Sequence, residues 1–278
     1  MSGTLYVVGT PIGNLGDFSP RAARTLESVD FIAAEDTRVA LKLLNKFEIK
    51  KPLVSYYEHN KYERGEVICE RILSGENCAI VTDAGMPCVS DPGELLVAQC
   101  HEKGIPVAVV PGPTAMASAL AISGLPTGRF TFEGFLSVTK KSRLEHLESL
   151  KNERRTMVFY EAPHKLGSTL KDMYEYFGDR RVSIVRELTK IHEEVIRTTL
   201  KDAAKKYGEG GLKGEIVLVI EGKTDEEPQE FTLEQAVSIA AELVAEGMSV
   251  SEAAKQAAKQ THIKKNEIYK EFTSSKEK

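Results

Sequence analysis

The stretch Cys78-Ala79-Ile80-Val81-Thr82-Asp83-Ala84-Gly85-Met86-Pro87-Cys88-Val89-Ser90-Asp91-Pro92-Gly93 decides how this chain is read. Its first four residues are an unbroken apolar run, the pattern of a strand covered on both faces. The twelve that follow combine two acids, two glycines and two prolines, so their backbone is stiff and open to close approach. Asp91-Pro92 then reads as a helix start, with a capping side chain followed by a proline, and Gly104 ends that helix. Strand, loop and helix in succession make one unit of an α/β layer. Asp83, at the strand end, is placed to touch a ligand amine or hydroxyl, whereas Asp91 reads first as a cap.

The same unit recurs on both sides. Leu5 to Val8 is a strand, and Ser19-Pro20 starts the helix after it. Phe31 to Ala34 is a second strand, after which Asp36 can cap a helix containing Val39, Leu43 and Leu44. A helix runs from about Arg64 to Leu73, with Gly75 at its end. Val107 to Val110 leads into Pro111-Gly112-Pro113-Thr114 and a small-residue helix from Ala115 to Ile122. These runs imply a largely parallel sheet, with ligands gathering at the C-terminal strand ends. Three loops belong to that edge. The first, Gly9 to Asp17, is glycine-rich but is neither GxGxxG nor a P-loop. The loop after Val110 feeds a helix N-terminus, whose N–H groups can hold a carboxylate.

A break at Gly124-Leu125-Pro126-Thr127-Gly128 divides a first α/β domain, residues 1–124, from a second over 125–222. The strands of the second (Phe130 to Phe132, Thr156 to Tyr160, Val182 to Arg186, Val195 to Thr199, Ile216 to Ile220) suggest an antiparallel or mixed sheet. An acidic linker is expected over 223–231. A helical module over 232–278 follows, with patterns at about Leu233–Glu246, Val250–Gln260 and Lys264–Phe272 and a spacing resembling helix-turn-helix. Its seven basic and seven acidic side chains do not mark it for nucleic acid, and a packing or dimer-support role fits equally.

The bulk properties exclude several classes. No apolar stretch approaches a membrane span, and the N-terminus has no basic-then-apolar signal, so a soluble cytoplasmic protein is expected. Cys69, Cys78, Cys88 and Cys100 form no CxxC knuckle, and the six histidines form no HxxxH pair. No metal site is therefore expected, and the thiols read as reduced and mostly buried. A net charge of −4 argues against coating nucleic acid with the whole surface. Two segments are locally basic by three charges, Asp36 to Arg64 and Thr139 to Arg155.

Six motifs occur in the order and spacing of one family: VVGTPIGNLGD, AAEDTR, VTDAGMPCVSDPG, VPGPTAMASAL, VFYEAPHK and GEIVLVIEG. From about Leu5 to Gly222 the chain resembles the bacterial small-subunit (16S) ribosomal RNA 2′-O-methyltransferases that modify a decoding-region cytidine, within the tetrapyrrole methylase superfamily. The resemblance implies two α/β domains of the class III methyltransferase fold, a homodimer, and S-adenosylmethionine in the interdomain cleft. Carried over by motif, it assigns cofactor contacts to Asp83, Ala84, Gly85, Val89, Ser90, Thr114, Ala115, Tyr160, Glu161, Ala162, Leu188, Glu215 and Ile216. The first loop (Gly9, Thr10, Pro11, Gly13 and Asn14) would face substrate, which is ribosomal RNA or the small ribosomal subunit. Met86 and Cys88 stand where threonine and leucine are expected, which puts one side-chain hydroxyl contact in question. The tail from Phe231 onward lies outside the core pattern.

Methyl transfer from a sulfonium is an in-line displacement, to which positioning alone contributes about 7 kcal/mol or more. It needs no metal. A ribose 2′-hydroxyl is a poor nucleophile, and a base or strong acceptor would help by about 10²–10⁴-fold. Candidates are Asp36, Glu35 and His59, with Asp17 behind them. Arg38 suits a phosphate, because its fork binds oxygens in pairs. Asn60, His164 and Lys165 are candidate substrate contacts, and Tyr56 or Tyr57 could stack on a splayed base. Each has a structural reading as well: Asp36 as a cap, Tyr57 as packing, His59 as a hydrogen-bonding group of the fold. The alternatives are a same-fold methylase acting on a tetrapyrrole or a protein residue, or a noncatalytic RNA-binding assembly factor. The basic segments favour RNA, and the full set of cofactor-side motifs favours catalysis.

Overall fold

The apolar runs become the strands of two five-stranded sheets. The structure is a computed structural model and describes residues 2–209, 211–224, 231–261 and 263–274. The first sheet contains β1 (Leu5–Val8), β2 (Phe31–Ala34), β3 (Leu53–Ser55), β4 (Cys78–Val81) and β5 (Val107–Val110), in the order β3-β2-β4-β1-β5. All its pairings are parallel, with Leu5 in register with both Cys78 and Val107. Strand side chains alternate between faces, and here both faces are covered. Leu5, Val7, Phe31, Ala33, Cys78 and Ile80 pack with Ile68, Cys69 and Ile72 of α3 (Lys61–Leu73) and Leu96 and Cys100 of α4 (Gly93–Glu102). Val8, Ile32, Ala34, Ala79 and Val81 pack on the opposite face with Ala22 and Leu26 of α1 (Pro20–Ser28) and Ala40 and Leu44 of α2 (Thr37–Lys46). Two-sided burial is why these strands read as continuous apolar runs; each fully buried large side chain contributes roughly 1.5–3 kcal/mol.

Polar residues set the helix starts. Ser19 accepts the Ala22 N–H at 3.0 Å and Asp36 accepts that of Arg38 at 2.8 Å, so both cap as expected. Asp91 accepts the Gly93 N–H at 2.9 Å, but α4 begins at Gly93, so Pro92 stands at the cap position instead of inside the first turn.

The second sheet contains β6 (Phe130–Phe135), β7 (Thr156–Glu161), β8 (Arg181–Arg186), β9 (Glu194–Thr199) and β10 (Ile216–Ile220), ordered β6-β7-β10-β8-β9. It is mixed: β6 and β7 are parallel, and the remaining pairings are antiparallel. Helices α6 (Lys140–Leu150), α7 (Leu166–Phe177) and α8 (Leu200–Tyr207) cover one face through Leu147, Leu170, Met173 and Leu200. The other face is covered by α5 (Ala115–Ile122) and by Ile12 and Leu188, which pack on Val158, Val185, Val217 and Val219. Helix α5 is apolar but for Ser118, and it buries Ala119 and Leu120, with Ala115 and Met116 partly covered, against the second sheet. The two sheets therefore share one packed body up to residue 223.

A second compact unit takes residues 224–278. In it α9 (Leu233–Ala245), α10 (Val250–Thr261) and α11 (Lys265–Ser274) close on a core of Ala236, Ala240, Ala253, Ala254, Ala257, Ile268 and Phe272. Thr232 and Gln235 form a reciprocal capping box at its first helix, and Ser249 accepts the Glu252 N–H at the second. Most of the expected linker, together with His262 and the last four residues, lies outside the described residues. All four cysteines are free thiols, three of them buried. Among the described residues no helix is long and apolar enough to cross a membrane.

Candidate active site

Because β4, β1 and β5 are neighbours, the loops leaving their C-terminal ends meet. Thr10 and Gly85 form an isolated antiparallel bridge, Thr10 N–H donating to Gly85 O at 2.9 Å and Gly85 N–H to Thr10 O at 3.2 Å. The buried Thr10 hydroxyl donates to Thr82 O at 3.2 Å, so this side chain ties loop to loop. Gly9 meets Gly112 backbone to backbone: a Cβ on Gly9 would stand 2.7 Å from the Gly112 Cα. Met86 Sδ accepts the Gly112 N–H at 3.2 Å, a thioether holding the 83–93 loop against the 111–114 loop.

The 83–93 loop is strained as well as stiff. Cys88 and Ser90 both sit at positive φ, +68° and +67°, where side chains are disfavoured. Asp91 sustains this turn by accepting from the Cys88 and Gly93 N–H groups, both at 2.9 Å. Strain of this kind persists only where surrounding contacts overdetermine it, and it clusters at ligand sites.

Beside these loops lies an acidic group. Glu35 Oε2 accepts the Thr82 hydroxyl at 2.7 Å, and Asp83 Oδ1 accepts the Asp36 N–H at 3.2 Å, linking the exits of β2 and β4. Partial burial, with Glu35 close by, pushes the Asp83 carboxyl above the usual range. Asp36 is the reverse case: the Arg38 side chain and backbone N–H hold it down at about 2. The Arg38 guanidinium reaches both Asp36 oxygens, at 2.6 Å in its shortest contact, while itself 87% exposed.

The facing wall comes from the second sheet. Tyr160, near the end of β7, accepts the Met116 N–H on its hydroxyl at 3.2 Å and packs against Phe132 at 5.0 Å and Phe135 at 5.4 Å between ring centroids. Glu161 is buried, and its carboxylate accepts from the Ala162 N–H and the Thr169 hydroxyl. The turn after β8 holds two more left-handed residues, Glu187 and Thr189. It is braced by Glu187 N–H to Glu215 O at 2.9 Å, Thr189 N–H to Glu193 at 2.6 Å, and Lys190 between Glu187 and Glu215, 3.1 Å from each. Gly13 of the first loop lies against this turn, where a Cβ would stand 2.6 Å from Lys190 Cγ, and an open cleft of about 670 Å³ is lined by Gly13, Asn14 and Leu15 together with Glu187 and residues 189–192. Among the described residues, no group of three or more histidine, cysteine or acidic side chains is arranged to hold a metal.

These loops, on this fold, are shared with known proteins. The sequence profile of the Tetrapyrrole (Corrin/Porphyrin) Methylases matches residues 4–204, and that of the RsmI C-terminal HTH domain matches 230–272. A Synechocystis protein named "Ribosomal RNA small subunit methyltransferase I" is 46% identical over 268 residues, covering 96% of each chain. The Thermotoga maritima protein of the same name is 50% identical over 221 residues, covering 80% of this chain and 99% of that one. The chain belongs to this methyltransferase family. Its two-sheet fold also resembles the crystal structure of uroporphyrin-III C-methyltransferase from Thermus thermophilus complexed with S-adenyl homocysteine, at a TM-score of 0.56 and 21% identity, over 79% of this chain and 97% of that one.

The family's fold brings most of the sequence-derived candidates together. Gly9, Thr10, Asp83, Gly85 and the loop leading to Thr114 meet directly, and Ala84, Val89, Ser90 and Ala115 are carried on the same loops. Leu188 is buried between the sheets, and Ile216 pairs with Glu161. Several polar candidates are occupied within the fold. Asn60 accepts the Tyr57 N–H at 2.8 Å and donates to Ser55 O at 3.2 Å, which shapes the turn before α3. Asn14 accepts the Gly16 N–H at 2.9 Å. Tyr56 is buried, with its hydroxyl donating to Pro92 O at 3.2 Å, so only the exposed Tyr57, paired edge-on with His59, is open to a base. His59 and His164 are exposed, Pro11 and Lys165 half-buried. Of the braced turn at 187–193 the sequence pointed only to Leu188; Thr82 and the aromatic pair around Tyr160, Phe132 and Phe135, were not legible as candidates.

Proposed function

We propose that this chain transfers a methyl group from S-adenosylmethionine to the 2′-hydroxyl of a decoding-region cytidine in 16S ribosomal RNA, acting as a homodimer on the RNA or the small ribosomal subunit. One observation carries the proposal: three glycine-bearing exit loops close on one another beside an acidic pair and an exposed arginine. The name shared by the near-full-length relatives supplies the RNA class.

The residues fit the cofactor. Gly9 and Gly112 let their two exit loops close on each other, Gly85 turns the third loop at φ +91°, and the buried Thr189 hydroxyl has no hydrogen-bond partner among the described residues. Asp83, Ala84, Gly85, Val89, Ser90, Thr114 and Ala115 would hold it from one wall, and Tyr160, Ala162, Leu188, Glu215 and Ile216 from the other. Glu161 would contribute through its backbone, its carboxylate being engaged with Ala162 and Thr169. The bound cofactor supplies an electrophilic methyl group on a positively charged sulfur. Asp83, a stronger acceptor than an ordinary aspartate, suits an ammonium or a sugar hydroxyl.

Asp36 acts here as the acceptor that orients the 2′-hydroxyl. Its low basicity suits a fixed hydrogen-bond partner more than a proton store. Glu35, which accepts the Thr82 hydroxyl, and the exposed His59 are the other candidates for the proton. Arg38 binds the neighbouring phosphate, and the first loop, with His164 and Lys165, contacts the RNA. No metal enters this scheme. The test incubates the protein with labelled S-adenosylmethionine and small-subunit RNA or subunits, with and without EDTA, and maps the label by mass spectrometry. Label on a cytidine ribose that survives EDTA is expected; label on base or protein overturns the assignment.

A further inference from the structure

We infer that Phe135 is the platform on which the target base stacks, an assignment that rests on the RNA methylation proposed above. The edge strand β6 runs in step with β7 through Phe130–Thr156, Thr131–Met157 and Phe132–Val158, then slips: Gly134 pairs with Phe159 and Phe135 with Tyr160. Glu133 is the extra residue of a bulge. A one-residue slip sends every later side chain to the other face. Phe132 lies on the cleft face with Val158 and Tyr160. Without the bulge Phe135 would point to the opposite face, where Leu136 now lies in the core with Leu147 and Phe159.

The bulge thus moves an aromatic ring out of a core position and into the site, beside Tyr160. It depends on Gly134, whose φ is +64°, and a side chain there would also meet Ser90 Oγ at 3.4 Å, so the bulge abuts the strained 83–93 loop. Despite its neighbours the Phe135 ring is 59% exposed. A ring serving only the fold would gain by staying in the core. The surroundings select the occupant: Lys140 and Lys141 follow at the start of α6, both exposed. An exposed aromatic face followed closely in the chain by exposed cations suits single-stranded nucleic acid, base on ring and phosphate on lysine.

The test uses the intact protein as wild type, F135A, F135L and F135Y, with small ribosomal subunits as substrate. Methylation kinetics are read alongside cofactor affinity by calorimetry and thermal stability. Stacking predicts that F135A lowers kcat/KM for the subunit by roughly 5- to 150-fold. F135Y should stay near wild type and F135L should follow F135A, with cofactor affinity and Tm unchanged in all three. Wild-type kinetics in F135A would overturn the assignment. So would equal rescue by leucine and tyrosine, which means apolar packing alone, or a parallel loss of cofactor affinity, which gives the ring to the adenine. If the wild-type protein itself methylates no ribosomal RNA, the proposed function fails, and that arm shows it independently of the variants.

Discussion

Gly9 and Gly112 touch through their backbones, at the point where the loops leaving β1 and β5 cross. A Cβ on either would stand at 2.7–2.8 Å from main-chain atoms of the other, and one on Gly9 would also reach Met86 Sδ at 2.7 Å. Backbone on both sides cannot rotate away, so Gly9→Ala forces the loops apart, at about 1–3 kcal/mol for overpacking. Gly128→Ala is the control, since nothing lies within 4 Å of its Cβ position. Thermal melts and cofactor titrations should show Gly9→Ala losing both stability and affinity, with Gly128→Ala within about 0.5 kcal/mol of wild type. A wild-type affinity in Gly9→Ala would mean the crossing is incidental to the cleft.

Asp83 trades stability for binding. Burial and the Glu35 charge raise its pKa in the folded chain. A carboxyl raised on folding holds its proton more tightly in the native state, so stability falls as pH rises from the ordinary carboxylate range through the raised value. At neutral pH the charged form therefore carries a net cost. Asp83→Asn, which keeps an oxygen for the Asp36 N–H, should melt higher than wild type at pH 7, the gap closing towards pH 3. Its cofactor affinity should drop roughly 10- to 100-fold, the worth of a hydrogen bond to a charged group. A lower Tm at pH 7 would contradict the sign of this argument.

The first sheet was legible because two-sided burial writes itself as unbroken apolar runs: Phe31 to Ala34 and Cys78 to Val81 are buried at every position. Caps such as Ser19 and Asp36 are local and follow from residue type. The second half carried weaker signals. Its β9 pattern, Glu194 to Thr199, is only partly covered, and α6 has a single fully buried residue, Leu147. The bulge at Glu133 left one trace, Gly134 inside an aromatic strand. Glu161 carries a buried carboxylate that braces the start of α7, which leaves its backbone for the contact the motif assigned it, and the motif's spacing does not say where a carboxylate points. The braced turn at 187–193 depends on Glu215, 28 residues from Glu187, and no local pattern announces such a contact.

The helical tail should be separable from the core. Residues up to 223 form one compact unit, and the Thermotoga maritima relative is matched over 99% of its length by 80% of this chain. The tail unit takes about the remaining fifth. A chain ending at Lys223 should melt cooperatively, keep its affinity for S-adenosylmethionine and bind ribosomal RNA more weakly. Circular dichroism, calorimetry and filter binding measure the three. An aggregated or unfolded truncation would show that the tail completes the core.

The Asp36–Arg38 pair separates binding from chemistry. Arg38→Ala removes an exposed fork assigned to a phosphate, and it should weaken RNA binding and flatten its salt dependence by about one counterion. Asp36→Asn keeps the size and the cap but loses the charge. If its oxygens orient the 2′-hydroxyl, single-turnover methylation at saturating RNA should fall by about 10²-fold or more, with cofactor affinity little changed. Its stability effect has a distinct pH signature. A carboxyl held down at about 2 contributes above the ordinary aspartate value and loses that contribution as pH falls towards 2. The melting gap between wild type and Asp36→Asn should therefore shrink between pH 5 and pH 2, and it should be small throughout, because Arg38 is solvent-exposed. In the free chain Arg38 is the main cause of that low value, so Arg38→Ala should move the acid limb of the melting gap up towards the ordinary aspartate range. Normal turnover in Asp36→Asn, with an intact fold, would reduce Asp36 to a helix cap and shift the search for the acceptor to His59 and Glu35.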